Sequence, residues 1–142
     1  MLIPKKVKYR KWHTFRKNPS KVGISTRGTS LAFGSYGLKA VSHARVRSNQ
    51  LEAARKVLSR SLGKTGRVWI RVFPDMPYTQ KPAEVKLGKG KGDPQGYQVP
   101  VLPGRIMFEI EGVDEVTAKE AIRKAGTKLP LKSKFVVRQG KA

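Results

Sequence analysis

The residues whose types and spacing best suit a chemical role lie in the segment 67–92, RVWIRVFPDMPYTQKPAEVKLGKGKG. Its first part alternates as in a β-strand, where successive side chains point to opposite faces. One face carries cations and aromatic rings in turn: Arg67, Trp69, Arg71 and Phe73. The other face is apolar and is expected to enter a core: Val68, Ile70 and Val72. Because guanidinium groups pair with phosphate and rings stack on bases, the first face indicates contact with a nucleic acid.

The same segment ends in the glycine–lysine loop Gly88–Gly92, GKGKG. Alternating glycines let the backbone approach a partner closely, and the lysines supply positive charge. Lys89 and Lys91 are each followed by glycine, so this is not a Walker loop, which requires Ser or Thr after the lysine. Taken alone, the loop is equally compatible with a flexible, solvated hairpin tip. Together with the rest of the chain, it favours RNA contact.

Residues suited to enzymatic catalysis or metal binding do not occur in productive groups. His13 and His43 have no cysteine or carboxylate at ligand spacing, and the chain contains no cysteine. No serine lies in a GxSxG motif. Glu109 and Glu111 share one face of a predicted strand, where a solvated strand edge is expected rather than an acid–base pair. With no nucleophile, base and orienting group together, the sequence predicts no enzyme, no cofactor and no metal site.

The charge balance narrows the class of partner. The 142 residues include 31 Lys and Arg against 9 Asp and Glu, for a formal charge of +22. Such a charge repels itself on compaction, so a polyanion is expected to neutralise it. Nucleic acid is the first candidate and an anionic membrane surface the second. No apolar run approaches the roughly 20 residues that span a bilayer, and no secretory signal is evident.

The elements that position these residues fall into a basic extended arm, residues 1–30, and one domain, residues 31–142, with a long loop at 81–97. In the arm, Tyr9, Trp12 and His13 are interleaved with lysines and arginines, and the first acidic residue of the chain is Glu52. This mixture is typical of RNA-binding segments, because charge follows the phosphates while rings stack on exposed bases. The alternative is a disordered solubilising tail.

Hydrophobic periodicity predicts an α+β fold, with two helices packed on one face of a mainly antiparallel sheet. The predicted helices are Ser48–Leu62, with Ser48 as the N-cap, and Val113–Lys128. Strands are predicted at 31–41 (two short ones), 67–73, 82–87, 98–102, 105–111 and 134–138. Residues 105–111 are expected to bury one face only. The acidic residues between Glu109 and Glu120 mark the side expected to face away from RNA.

Core residues predicted for 31–41 are Leu31, Phe33, Leu38 and Val41. Tyr36, at a predicted turn, suits either stacking on a base or packing within the domain. Along the first helix, Leu51, Ala54 and Leu58 recur at helical spacing and are expected to face inward. The basic residues on its outer face, including Arg55, suit either solvent or phosphate.

Several motifs occur in an order that resembles a known family. They are FGSYGLKAV at 33–41, QLEAARK at 50–56, GRVWIRVFPDMPYTQKP at 66–82, VKLGKGKG at 85–92, PGRIMFEIEGV at 103–113 and KLPLK at 128–132. Together they resemble bacterial and organellar large-subunit ribosomal protein sixteen over nearly the whole chain after about residue 30. Lys86 departs from the family, because arginine is common there and is hydroxylated in some relatives.

The resemblance implies a structural protein that binds large-subunit rRNA near the A site and the peptidyl-transferase region. It also implies a role in late subunit assembly and tRNA positioning, and a place in the ribosome of the cytoplasm or of an organelle. Implied partners are large-subunit rRNA, A-site tRNA with P-site tRNA as a further candidate, and neighbouring ribosomal proteins; no membrane and no homo-oligomer are expected. The alternative is a free-standing RNA- or DNA-binding module, such as a chaperone or regulator.

Charge, aromatic content and the resemblance together select the candidate RNA-binding residues. They are Lys5, Lys6, Lys8, Arg10, Lys11, Trp12, His13, Arg16, Lys17, Arg55, Arg67, Trp69, Arg71, Lys81, Lys86, Lys89 and Lys91.

Overall fold

The computed structural model of the chain describes residues 1–14, 18, 21–86, 88 and 90–139. Within these residues the α+β class predicted from the sequence is confirmed. The elements in chain order are β1 (Tyr36–Ala40), β2 (Ala44–Arg47), α1 (Ser48–Leu62), β3 (Arg67–Ile70), β4 (Met76–Gln80), β5 (Asp93–Val101), β6 (Ile106–Glu111), α2 (Glu115–Gly126) and β7 (Ser133–Val137). No helix in this part of the chain is long and apolar enough to cross a bilayer.

The strands form two antiparallel sheets. The larger sheet has the order β3-β6-β1-β7, and the smaller has the order β2-β5-β4. Helices α1 and α2 pack against each other and against one face of the larger sheet. The core between them includes Leu51, Ala54 and Leu58 of α1, which are fully buried as predicted.

Both predicted helices are confirmed, with small changes at their ends. Helix α1 has the predicted bounds, but its N-cap is Arg47 and not Ser48. The Arg47 N–H donates to Oε1 of Gln50 at 2.9 Å, which ties the start of the helix to the end of β2. Helix α2 is two residues shorter at each end than predicted.

Strands β4 and β5 form a hairpin. The prediction of a strand at 82–87 was wrong, because the described residues 82–86 lie between these two strands. Residues 82–85 make a turn instead, with the Val85 N–H bonded to the Pro82 carbonyl at 3.1 Å. Strand β4 was missed because Pro77 lies within it, and proline cannot donate to the hydrogen-bond ladder of a strand. Its missing N–H is tolerated because β4 is the edge strand of its sheet. The described residues between β4 and β5, namely 81–86, 88 and 90–92, therefore belong to the loop of this hairpin.

The segment 28–35 covers the face of the larger sheet that the helices leave open. The Ile106 N–H donates to the Gly28 carbonyl at 2.8 Å, and the Ser35 N–H donates to the Ile110 carbonyl at 3.1 Å. A Cβ on Gly37 would lie 2.4 Å from Cδ2 of Leu31, so Leu31 packs directly on the sheet backbone. Strand β6 is consequently buried from Ile106 to Ile110 on both faces, and the prediction of a half-buried strand was wrong.

Two further expectations for this region were wrong. The first of the two strands predicted within 31–41 is absent, because residues 31–35 lie across the sheet and only β1 pairs within it. Phe33 and Val41 are 54% and 48% exposed and do not enter the core. Tyr36 is packed against Phe135, with ring centroids 5.6 Å apart, so the packing alternative holds for this side chain.

Candidate nucleic-acid interface

The basic arm and the hairpin loop meet in the folded chain. The Lys11 ammonium donates to the Lys91 carbonyl at 3.3 Å, and the Lys91 ammonium donates to the Trp12 carbonyl. These contacts join residues about 80 positions apart in the sequence. Two basic segments that were predicted separately therefore form one continuous surface.

We call this the arm–loop surface and define it by Lys5, Lys6, Lys8, Arg10, Lys11, Trp12, His13, Lys81, Lys86 and Lys91. All of these side chains are exposed except that of Lys81, which is half-buried. Lys8 lies 5.5 Å from the ring centroid of Tyr9, so an ammonium group and an aromatic ring are already paired within the arm. The predicted contacts Arg16, Lys17 and Lys89 lie outside the described residues.

A second cluster combines rings and a guanidinium on the covered side of the larger sheet. The rings of Phe33 and Trp69 are stacked with centroids 6.1 Å apart and planes at 20°. The Arg71 guanidinium lies 5.2 Å from the centroid of the Phe33 ring. We call Phe33, Trp69 and Arg71 the aromatic platform. Sequence reasoning missed Phe33 as a surface residue because its apolar ring, near a predicted strand, indicated a core position.

Glu109 holds the platform together from below. Its side chain is fully buried. Its Oε1 atom accepts three backbone N–H groups, from Ala32 at 2.8 Å, Phe33 at 2.9 Å and Gly34 at 3.1 Å. Its Oε2 atom accepts a hydrogen bond from the Arg71 guanidinium. The expectation that Glu109 lies at a solvated strand edge was therefore wrong, because β6 is an interior strand covered by residues 28–35.

The ionisation of Glu109 follows from these contacts. Burial is the largest single influence and acts to raise the pKa of this carboxyl. The hydrogen bonds from Arg71 and from the three backbone N–H groups outweigh burial and hold the pKa of Glu109 below its ordinary value of 4.5. Glu109 is thus a carboxylate at neutral pH, and its charge compensates that of Arg71. Arg71, whose side chain is only 21% exposed, is therefore paired with Glu109 inside the protein before any contact with RNA.

The other predicted basic residues of the domain differ in their surroundings. Arg67 is exposed at the start of the edge strand β3. Arg55 forms an ion pair with Glu52, one turn earlier on α1. The hydrogen bond from Arg55 holds the pKa of Glu52 below its ordinary value. The side chain of Arg55 is 38% exposed, so part of its guanidinium faces solvent beside this bond.

A cation–ring pair on the smaller sheet was not predicted. The Arg47 guanidinium lies 4.6 Å from the centroid of the Tyr78 ring. The Tyr78 ring lies over Gly96 of the neighbouring strand, where an added Cβ would come within 3.1 Å of it. The alternation of Arg45 and Arg47 in ARVR could have indicated a short basic strand at this place.

The described residues contain no group of three or more His, Asp or Glu side chains that could hold a metal ion. The chemistry available at the arm–loop surface and the aromatic platform is therefore that of ammonium and guanidinium groups, aromatic faces and backbone groups. These are the groups that bind phosphates and stack on bases.

Comparisons with known proteins agree with this chemistry. Residues 4–136 match the family model described as ribosomal protein L16p/L10e. A curated relative is the large ribosomal subunit protein uL16 of Rhodopseudomonas palustris (strain HaA2). This chain is 51% identical to it over 138 residues, which cover 97% of this chain and 98% of the relative.

Proposed function

The chain belongs to the L16p/L10e family of ribosomal proteins, and we propose which of its surfaces bind RNA in its role as a structural constituent of the large ribosomal subunit. A member of this family is a component of the ribosome and not an enzyme, in agreement with the sequence prediction. Its partners are large-subunit rRNA and other ribosomal proteins. We propose that the arm–loop surface is the principal rRNA contact.

The junction of arm and loop is the observation that carries this proposal. Each lysine at the junction donates to a backbone carbonyl of the other segment. An exposed ammonium group in such a bond has further donors available, so it can bind a phosphate without leaving its carbonyl partner. The junction also aligns the two segments, so that RNA meets both at once and the cost of ordering them separately is reduced.

The aromatic platform is the proposed second contact. Phe33 presents more than half of its surface to solvent, and its ring is supported by Trp69 and Arg71. A supported ring is a suitable stacking partner for an unpaired base. Arg67, at the exposed start of the same strand, supplies a further cation beside it. In this account Arg71 orients the platform, and Arg67 pairs with phosphate.

We further propose that these contacts lie near the A site and the peptidyl-transferase region. There the arm and loop support the positioning of A-site tRNA, with P-site tRNA as a further neighbour, and the protein contributes to late assembly. The adjacency of arm and loop supports this assignment, because one region of RNA can then contact both segments. In this account the protein positions RNA and supplies no catalytic group.

The test compares two triple variants that remove the same charge. The variant K86A/K89A/K91A changes the loop, whereas K119A/K124A/K128A changes exposed lysines on and just after α2. Binding to a large-subunit rRNA transcript is measured over a range of salt concentrations. The loop variant should bind at least about tenfold more weakly, and its log–log salt slope should fall by about 2 to 3, since each lost phosphate contact removes roughly 0.7 to 0.9.

The control variant should bind nearly as the unchanged chain does, because α2 carries the acidic side of the molecule. Equal weakening in the two variants would mean that only total charge matters. Undiminished binding by the loop variant would contradict the proposed contact directly. Circular dichroism and thermal unfolding establish that both variants are folded.

A further inference from the structure

The arm and Asp75, in the segment that joins β3 to β4, line a small open pocket. Its volume is about 200 Å³, below the roughly 300 Å³ at which pockets for drug-sized ligands begin. The residues that line it include Tyr9 and Trp12, Lys6 and Lys8, and Asp75. A single planar ring system suits this size and lining better than a larger ligand does.

Asp75 is the unusual member of this lining. It is exposed and lies within a strongly basic surface. In the part of the chain that the structure describes, the salt bridges join Arg55 to Glu52, Arg71 to Glu109 and Arg123 to Glu120. No hydrogen bond or ion pair with a described residue engages the Asp75 carboxylate. Its oxygens are therefore available to accept hydrogen bonds from a ligand.

The lining sets three requirements for the ligand. It should have a flat face for the two rings, an anionic group for the two lysines, and hydrogen-bond donors for the carboxylate. A nucleotide meets the first two requirements. A free cation is disfavoured because Lys6 and Lys8 line the same pocket.

The third requirement distinguishes between the bases. Guanine carries an imino N–H and an amino group side by side on its Watson–Crick edge, so it can donate two parallel hydrogen bonds to one carboxylate. Adenine and cytosine offer one amino group beside an acceptor nitrogen, and uracil offers one imino group between two carbonyls. A carboxylate accepts from two parallel donors as a bidentate partner.

We propose that the pocket formed by Tyr9, Trp12 and Asp75 binds one unstacked guanine of the RNA. The base stacks on the aromatic rings and donates its imino and amino hydrogens to the Asp75 carboxylate. Lys6 and Lys8 pair with the phosphates on either side of this nucleotide. This inference rests on the proposed contact of the arm with RNA and deepens it, because it adds base selectivity to a surface that otherwise recognises phosphate.

The test uses the full chain, labelled with ¹⁵N, and the mononucleotides GMP, IMP, AMP, CMP and UMP as probes. The chain has two tryptophans, so its indole N–H signals are easily followed, and that of Trp12 is assigned with the Trp12→Phe variant. GMP should shift the Trp12 signal with an affinity at least about tenfold above that of AMP, in line with the 1–3 kcal/mol of a good bidentate contact. IMP, which lacks the amino group, should fall between them.

Asp75→Asn should abolish the preference for GMP, because the amide presents a donor where the carboxylate presents only acceptors. Asp93→Asn changes the net charge equally at an exposed position outside the pocket, and should keep the preference. Equal affinity for all five mononucleotides would overturn the proposal without any variant. A GMP preference that survives in Asp75→Asn would overturn the role of the carboxylate.

Binding of the same proteins to the rRNA transcript is measured in parallel. Normal binding of the transcript without a guanine preference would overturn this inference and leave the proposed function standing. If the unchanged chain does not bind the transcript, the proposed function itself is overturned.

Discussion

Among single residues, Glu109 needs the most specific surroundings among the described residues, because its carboxylate is fully buried. A buried carboxylate is costly unless hydrogen bonds satisfy both of its oxygens. Three backbone N–H groups and the Arg71 guanidinium provide these bonds. The carboxylate therefore ties the segment around Phe33 to the sheet and orients Arg71 beside the Phe33 ring.

Replacing Glu109 with glutamine should destabilise the protein strongly. The amide keeps the size of the side chain but removes its charge, and its NH₂ group opposes donors from Arg71 or the backbone. We expect a loss of about 3 kcal/mol in the free energy of unfolding, typical of removing one partner from a buried ion pair. Urea unfolding of Glu109→Gln and Glu111→Gln measures this. Glu111→Gln, on an exposed residue of the same strand, should stay within about 0.5 kcal/mol of the unchanged chain.

The stabilisation from Glu109 should depend on pH in one direction. The folded-state pKa of Glu109 lies below its ordinary value of 4.5, so the stabilisation is complete above that value and is lost as the pH falls through the folded-state pKa. The difference in unfolding free energy between the unchanged chain and Glu109→Gln should therefore be constant from pH 7 to about pH 5 and narrow below it. A difference that does not change down to pH 3 would mean that the charge of Glu109 contributes nothing.

The sequence predicted the exposed cations of the arm–loop surface but not the role of Glu109. Lys11 and Lys91 were selected because charge and aromatic content are local properties that a sequence displays directly. The burial of Glu109 depends on residues 28–35 crossing a sheet whose strands are distant in sequence. Alternation within β6 indicates two faces, but it does not reveal that both are covered.

At the scale of elements, the segment 28–35 acts as a layer of the fold although it contains no helix or strand. It approaches β6 closely because Gly34 lacks a side chain. A Cβ on Gly34 would lie 2.6 Å from the Ile110 carbonyl oxygen, and that backbone atom belongs to an interior strand. The Gly34 N–H also donates to Glu109, so the close approach and the buried carboxylate depend on each other.

Gly34→Ala should displace this segment from the sheet. The clash with backbone cannot be relieved by rotating a side chain, so we expect a loss of about 1–3 kcal/mol in the free energy of unfolding. Faster amide exchange at Ala32 and Phe33 should accompany this loss. Gly23→Ala is the matched control, because no atom lies within 4 Å of a Cβ placed there. Similar stability in the two variants would show that the segment is not held by close packing.

The elements that could be predicted are those whose pattern is complete within a short stretch. Helix α1 shows its apolar residues at helical spacing, and its bounds were predicted correctly. Strand β4 was missed because it contains Pro77, and β2, only four residues long, was missed although Arg45 and Arg47 alternate within it. Both are edge strands of the smaller sheet, where short length and a proline are tolerated.

At the scale of the whole molecule, charge is distributed unevenly. The formal charge of +22 includes a run of basic residues before the first acid at Glu52, whereas acids concentrate on and around α2. Ion pairing such as that of Arg123 with Glu120 reduces the positive potential there. RNA bound at the arm–loop surface would therefore neutralise the side with the greatest self-repulsion. The contact between arm and loop was beyond sequence reasoning, because it joins two segments through backbone carbonyls that no residue pattern marks.

A sucrose gradient of cell lysate, washed at high salt and probed for this chain, tests whether the protein is an integral component of the large ribosomal subunit. Proteins held only by non-specific phosphate contacts dissociate at high salt, whereas a built-in component stays with the particle. We expect the chain to remain with the large subunit at a ratio near one copy per particle. Recovery of the chain at the top of the gradient, or far below one copy per subunit, would contradict the account.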